Sequence, residues 1–156
     1  MFIQKTSTPY YMLESHIKLV KDTWFNVVCH ATEAGGIFYE KFFELEPNAR
    51  ALFKEDIQQQ KHKLVMAISV IFTKVHKLDH IEEEVKFLAK RHVHYGVDVA
   101  FFRSFRTAFL SMLQIILSEQ NQWNREVETA WESIYDTITQ AIIKIMQAEQ
   151  LAKVKK

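Results

Sequence analysis

The chain has 156 residues, 48% of them apolar and 25% charged, with a formal net charge of +1. A chain of this length buries about 70% of the surface its unfolded form exposes, so one core is expected. The near-cancelling charges remove the electrostatic reason to expect nucleic acid or an anionic membrane as partner.

The single cysteine, Cys29, cannot form an internal disulfide, and no Cys/His spacing has the form of a zinc site. No apolar run approaches the roughly 20 residues that span a bilayer. The start of the chain lacks the basic-then-apolar order of a signal peptide, which makes the cytoplasm the expected compartment. Three glycines and two prolines leave little room for tight hairpins or Gly-rich phosphate loops, so helices are expected. Twelve phenylalanines, five tyrosines and three tryptophans fit either a ring-rich core or an aromatic-lined pocket.

Residues 1–13, with Thr6, Ser7, Thr8 and Pro9 and no periodicity, are expected to form a loose arm whose Phe2, Tyr10, Tyr11 and Met12 could dock. From Ser15, the spacing of Ile17, Val20, Trp24 and Val27 predicts a first helix. Gly35 and Gly36 precede a second apolar run, Ile37, Phe38, Phe42 and Leu45, which stops at Glu46 because Pro47 disfavours helical geometry in the residue before it. Pro47 itself suits the first position of a short helical turn ending at Leu52 and Phe53.

The stretch from Lys54 to Gln60 is polar and short. A long helix follows, with Leu64, Ile68, Ile71, Phe72 and Val75 on one face, fading at His76 and Lys77. Asp79 starts the next segment, with Leu78 and Ile81 as a staple. Val85, Leu88, His92 and Tyr95 continue a helical face up to Gly96, a natural stop. Asp98 is placed to cap a further helix carrying Phe102, Phe105, Phe109, Met112 and Ile116. The loop from Ser118 to Asn124 breaks it. The last helix carries Val127, Trp131, Ile134, Ile138, Ile142 and Ile145, with fraying expected from Lys153. This divides the chain into an arm (1–13), one all-α domain (14–150) and a tail (151–156).

Chemistry must come from particular residues. Of the seven histidines, His16, His30, His76 and His80 lie near helix ends or polar faces and are read as solvated. His92 lies four residues after Leu88 and seven after Val85, so it projects from the apolar face, while His94 points well away. Taken alone, such a histidine is more often a hydrogen-bonded core residue than a ligand.

The spacing around it changes that weighting. Phe38-Tyr39-Glu40-Lys41-Phe42-Phe43, then Pro47 and Leu52-Phe53, resembles the globin pattern, in which the second helix leads into a proline-started short helix ending at the phenylalanine that stacks on the haem. Lys63-Leu64-Val65-Met66, Thr73-Lys74-Val75, Leu78 and Arg91-His92 through Tyr95-Gly96-Val97 are similar to bacterial single-domain globins and to neuroglobins. The resemblance covers almost the whole chain after the arm. It implies the three-over-three all-α globin fold, with a short or absent fourth helix, around one haem b.

The same resemblance implies the roles. His92 ligates iron, and Phe53 lies against the porphyrin, with Leu64, Val97 and Phe102 also lining it. Arg91 is placed to pair with a haem propionate. Tyr39 and Gln60 face the open iron position, where a phenol and an amide can donate hydrogen bonds to dioxygen. Leu64 forms the apolar wall over the ligand. Counting from His62 instead makes a histidine the distal residue, able to act as a sixth ligand, with Met66 as the wall. The unbroken matches at Lys63, Leu64, Thr73 and Val75 favour Gln60. Many bacterial relatives brace the proximal histidine with a Tyr and a Glu. The corresponding positions here are Phe102 and Met146, neither of which accepts that bond, so the push on a bound peroxide is expected to be weaker.

The resulting expectation is reversible binding of dioxygen, or of CO, NO and similar diatomics, for storage, delivery or sensing. A second is nitric oxide dioxygenation, for which a separate reductase would supply electrons, since a Gly-rich dinucleotide loop is absent. A third is a haem-free helical docking module, against which the retained His92 argues.

Overall fold

The computed structural model describes residues 12–53, 56–74 and 78–154, with side-chain surroundings for all of these except 73, 74 and 78–81. Six α-helices and a short 3-10 helix make up the described chain: α1 (Glu14–Val28), α2 (Ala31–Leu45), the 3-10 helix (Pro47–Leu52), α3 (Ile57–Lys74), α4 (Leu78–His94), α5 (Phe101–Glu119) and α6 (Arg125–Val154). The arm residues Phe2 to Tyr11, Lys54, and Val75, His76 and Lys77 lie outside the described residues, as do the side chains of the expected staple Leu78 and Ile81. Met12 packs against the core.

The helices form where the apolar period predicts. On α1 the buried residues Val20, Thr23, Trp24 and Val27 fall on one stripe. On α5 the stripe is Ala108, Phe109, Met112, Leu113, Ile116 and Leu117. The boundaries differ from the sequence reading in ways that side-chain hydrogen bonds explain. The polar stretch before α3 is not all loop, because Asp56 starts the helix: its Oδ1 accepts from the Gln58 N–H at 3.0 Å and its carbonyl from the Gln60 N–H at 3.2 Å.

Asp98 caps the turn before α5 rather than the helix itself, its Oδ1 accepting from the Ala100 N–H at 2.8 Å. Asn124 serves α6, its Oδ1 accepting from the Val127 N–H at 2.9 Å. Ser118 and Glu119 belong to α5, whose chain then reverses through Asn121 at φ 54°. Gly96, with φ 73°, follows the end of α4 in the left-handed conformation that glycine adopts without strain. Gly35 and Gly36 lie inside α2 rather than ahead of it.

Packing runs chiefly between α4 and α6, α1 and α6, α2 and α5, and α2 and α3. This pattern sets α1, α3 and α4 over α2, α5 and α6, the arrangement that the resemblance implied. Two ring clusters fill it. In the first, Trp131 meets Phe72 edge-on at 5.1 Å and Phe109 at 5.7 Å, while Trp24 meets Phe72 at 5.5 Å. Both indole N–H groups are satisfied, Trp24 donating to Ser69 Oγ at 3.0 Å and Trp131 to Thr23 Oγ1 at 2.9 Å. The second cluster joins α2, the 3-10 helix and α5 through Phe38, Tyr39, Phe42, Phe43, Phe53 and Phe105, with Phe38 on Phe105 at 4.6 Å and Tyr39 on Phe53 at 5.4 Å. The aromatic load therefore goes into these two clusters.

Candidate functional site

His92 stands two residues from the end of α4. That helix buries Val85 and Ala89 at 1% and 0% exposure, which leaves Leu88 and His92 half-buried on the adjoining face. The His92 Nδ1 lies 2.6 Å from the Leu88 carbonyl oxygen. A carbonyl can only accept, so Nδ1 carries the proton and the lone pair is left on Nε2. Burial lowers the pKa of His92 below its ordinary value; the hydrogen bond to Leu88 opposes this, and the neighbouring Arg91 charge adds to it. The imidazole is thus held neutral, with one nitrogen anchored and the other available as a donor. Its ring lies 5.6 Å from that of Phe102.

Tyr39 projects from the buried side of α2, only 3% exposed, and its hydroxyl is hydrogen-bonded to the side chain of Gln60 on α3. Burial pushes the phenol pKa up to about 12, with the bond to Gln60 pulling the other way. The hydroxyl therefore keeps its proton through the ordinary pH range. Along α3, Gln60, Leu64, Ile68 and Ile71 recur at helical spacing and are half-buried, whereas Val65 and Phe72 on the next face are buried. One face of α3 is consumed by the core. The other is an apolar stripe with a polar end, and Phe53 adds a half-buried ring that touches both Tyr39 and Phe43.

These donors suit a prosthetic group better than a bare ion. Among the described residues no group of three or more His, Cys, Asp or Glu side chains could hold a metal. An iron held by His92 alone needs its other ligands from a planar group with an apolar surface. Leu64, Ile68, Phe53, Val97 and Phe102 are half-buried apolar side chains packed against the core, of the kind such a surface needs. The Val97 N–H donates to the His92 carbonyl at 3.1 Å, which folds the residues after α4 back onto the histidine.

The other candidates fall elsewhere. Arg91 is exposed, its Nη2 donating to the Tyr95 hydroxyl at 3.1 Å and its guanidinium lying over the Phe87 and Tyr95 rings at 5.5 and 5.7 Å. His62 and Met66 are exposed on the outer side of α3. His94 and His30 are also exposed, but His16 is not solvated as expected: it is half-buried, and its Nδ1 is shut off from water with no hydrogen-bond partner among the described residues. Met146 is fully buried. The sequence reading missed Leu88 as the acceptor that orients His92, because the role belongs to a backbone carbonyl and leaves no trace in side-chain type.

The globin family model matches residues 37–142 of the chain. Among curated proteins, an uncharacterized globin-like protein of Aquifex aeolicus is 26% identical over 132 residues, covering 85% of this chain and 92% of that protein. An anaerobic nitrite reductase of Oryza sativa subsp. japonica is 25% identical over 140 residues, covering 86% of this chain and 95% of that one. A second protein of that description, from Gossypium hirsutum, is 26% identical over 139 residues, with 80% and 87% covered.

Proposed function

The chain belongs to the globin family, which implies a haem, and we propose that it holds haem b on His92 and binds dioxygen reversibly beside Tyr39 and Gln60. When bound, the haem supplies a ferrous iron with a coordination position open to a diatomic ligand. His92 contributes a neutral imidazole, fixed by Leu88, and Phe53 and Leu64 exclude water from the ligand. The observation that carries the reading is the buried Tyr39 hydroxyl hydrogen-bonded to Gln60.

A phenol and a primary amide hold three donor hydrogens between them, and their mutual bond uses one. Two remain for a ligand whose outer oxygen gains negative charge. Hydrogen bonds to charged acceptors are worth about 1.5–3 kcal/mol, which slows ligand escape roughly ten- to a hundredfold.

Absorption spectra of the ferric, ferrous and carbonyl forms, with dioxygen dissociation measured in Tyr39→Phe, test the reading. The expected results are haem uptake that His92→Ala abolishes or alters, and faster dissociation in Tyr39→Phe. A chain that takes up no haem, or whose spectrum His92→Ala leaves unchanged, overturns it.

The rice and cotton relatives, described as anaerobic nitrite reductases, favour a second reading for the same site. One electron and two protons convert nitrite to nitric oxide and water, and the Tyr39–Gln60 pair offers hydrogen bonds to a nitrite oxygen. Anaerobic mixing of the ferrous protein with nitrite, followed by detection of nitric oxide, decides whether this chain carries out that conversion.

A further inference from the structure

The charges of α4 are sorted along its length. Glu82, Glu83 and Glu84 stand before Val85, and Lys86, Lys90 and Arg91 after it. Glu82 and Lys86 pair along the helix at 3.6 Å. The inner face of α4 is taken up by the fold, because Val85 and Ala89 are buried and the helix packs on α6 and α3. Its outer face carries Glu83, Phe87, Lys90, Arg91 and His94, and Tyr95 just beyond the last turn, all of them exposed.

Two of these are large rings left in water, Phe87 at 58% and Tyr95 at 57% exposure. The Arg91 guanidinium lies over both, at 5.5 and 5.7 Å, and its Nη2 donates to the Tyr95 hydroxyl at 3.1 Å. Phe87, Arg91 and Tyr95 therefore hold one another in a row, one turn apart. Side chains ordered before contact lose less entropy on binding, and Phe, Tyr and Arg are residue types enriched at protein interfaces. The helix macrodipole favours acids first and bases last, but it accounts for neither exposed ring.

We infer that the outer face of α4 docks on the same face of a second copy of this chain, running antiparallel, with Phe87 of each copy at the twofold axis. The charge order is complementary to itself only in that direction. Glu83 and Lys90 lie on one side of Phe87, about 6 Å before it and about 4.5 Å after it along the helix. Reversal therefore brings Glu83 of one copy to within about 1.5 Å of the level of Lys90 of the other. Glu84 and Arg91 repeat the relation on the opposite side. A parallel pair would set acids against acids and bases against bases. Antiparallel helices also lie with their dipoles head to tail, and a net charge of +1 on each chain opposes association only weakly.

Sedimentation equilibrium of the purified full chain tests this. At low ionic strength the expected result is a reversible monomer–dimer equilibrium that weakens as salt is added, because the charge pairs are exposed. Phe87→Ser is expected to weaken it at least about thirtyfold, the effect of losing a central interface anchor. Glu83→Lys or Lys90→Glu alone sets like charges together twice, once on each side of the axis, and is expected to weaken it at least about tenfold. Glu83→Lys and Lys90→Glu in one chain exchange the charges, and association is expected to return to within about threefold of the wild type.

A chain that is monomeric at every concentration overturns the inference, as does assembly beyond a dimer, which a closed twofold contact does not allow. A dimer that Phe87→Ser leaves intact forms through another surface and overturns it as well. A double variant as weak as either single one overturns the antiparallel pairing. Should Phe87→Ser lose its helical circular dichroism, the three charge variants decide alone.

Discussion

The Nδ1–H of His92 donates to the carbonyl oxygen of Leu88, 2.6 Å away and one turn earlier in the same helix. This bond fixes the ring's rotation and tautomer together, so the donor nitrogen is presented without side-chain help from another helix. His92→Gly removes the imidazole and leaves space of its shape. Haem uptake is expected to fall and the ferrous spectrum to change, and millimolar free imidazole is expected to restore the spectrum in part, since the free ring lacks the Leu88 anchor. A His92→Gly protein with the wild-type spectrum in the absence of imidazole would contradict the assignment.

His62→Leu bears on the choice of distal residue. His62 is exposed on α3, while Gln60 is hydrogen-bonded to the buried Tyr39. Substituting His62 is expected to leave the ferrous absorption spectrum unchanged. Conversion of a six-coordinate low-spin spectrum into a five-coordinate one would show that His62 reaches the iron and that Gln60 does not hold the distal position.

What the sequence made legible follows from periodicity. Val20, Trp24 and Val27, or Phe109, Met112 and Ile116, can be read as buried because one helix's period decides which face it turns inward. The short helix beginning at Pro47 was legible because proline restricts itself and the residue before it. The start of α3 was not, because a capping aspartate within a polar run resembles any other polar residue until its Oδ1 is seen on Gln58. The place of Gly35 inside a helix was not legible for a different reason. Close approach is a property of two helices, and only the neighbour at Lys61 reveals why a glycine stands inside one of them. The proposed roles of His92 and Phe53 follow from the resemblance to globins that the two carry together with Pro47, not from the residue types alone.

Thr23 tests the core independently of the site. Its Oγ1 accepts from the Trp131 Nε1–H at 2.9 Å and donates to the Leu19 carbonyl at 2.6 Å, and Trp131 is 0% exposed. Thr23→Val preserves shape but leaves the indole N–H buried without an acceptor. Urea unfolding is expected to show a loss of about 1–3 kcal/mol, while Thr23→Ser, which keeps the hydroxyl, is expected to lose less. Equal losses in the two variants would mean that packing of the methyl group, not the hydrogen bond, sets the cost.

The buried phenol of Tyr39 makes stability depend on alkaline pH in a calculable direction. Its pKa is pushed up from 10.0 to about 12 in the folded chain. Between those values the unfolded state releases its proton while the folded state retains one, so the unfolded state gains as pH rises. The contribution of Tyr39 is therefore complete below its ordinary pKa and is lost as pH climbs through the folded value, amounting to roughly 2–3 kcal/mol over the full shift.

Tyr39→Phe removes that share and keeps the ring against Phe38 and Phe53. Tyr135, also raised by burial, titrates in both proteins and cancels in the comparison. Urea unfolding of the two proteins at about pH 9 and about pH 11 is expected to show the wild type losing more stability than Tyr39→Phe across the interval. Parallel losses would mean that the Tyr39 hydroxyl reaches water and ionises at its ordinary pH, which would also remove it as a protected donor beside Gln60.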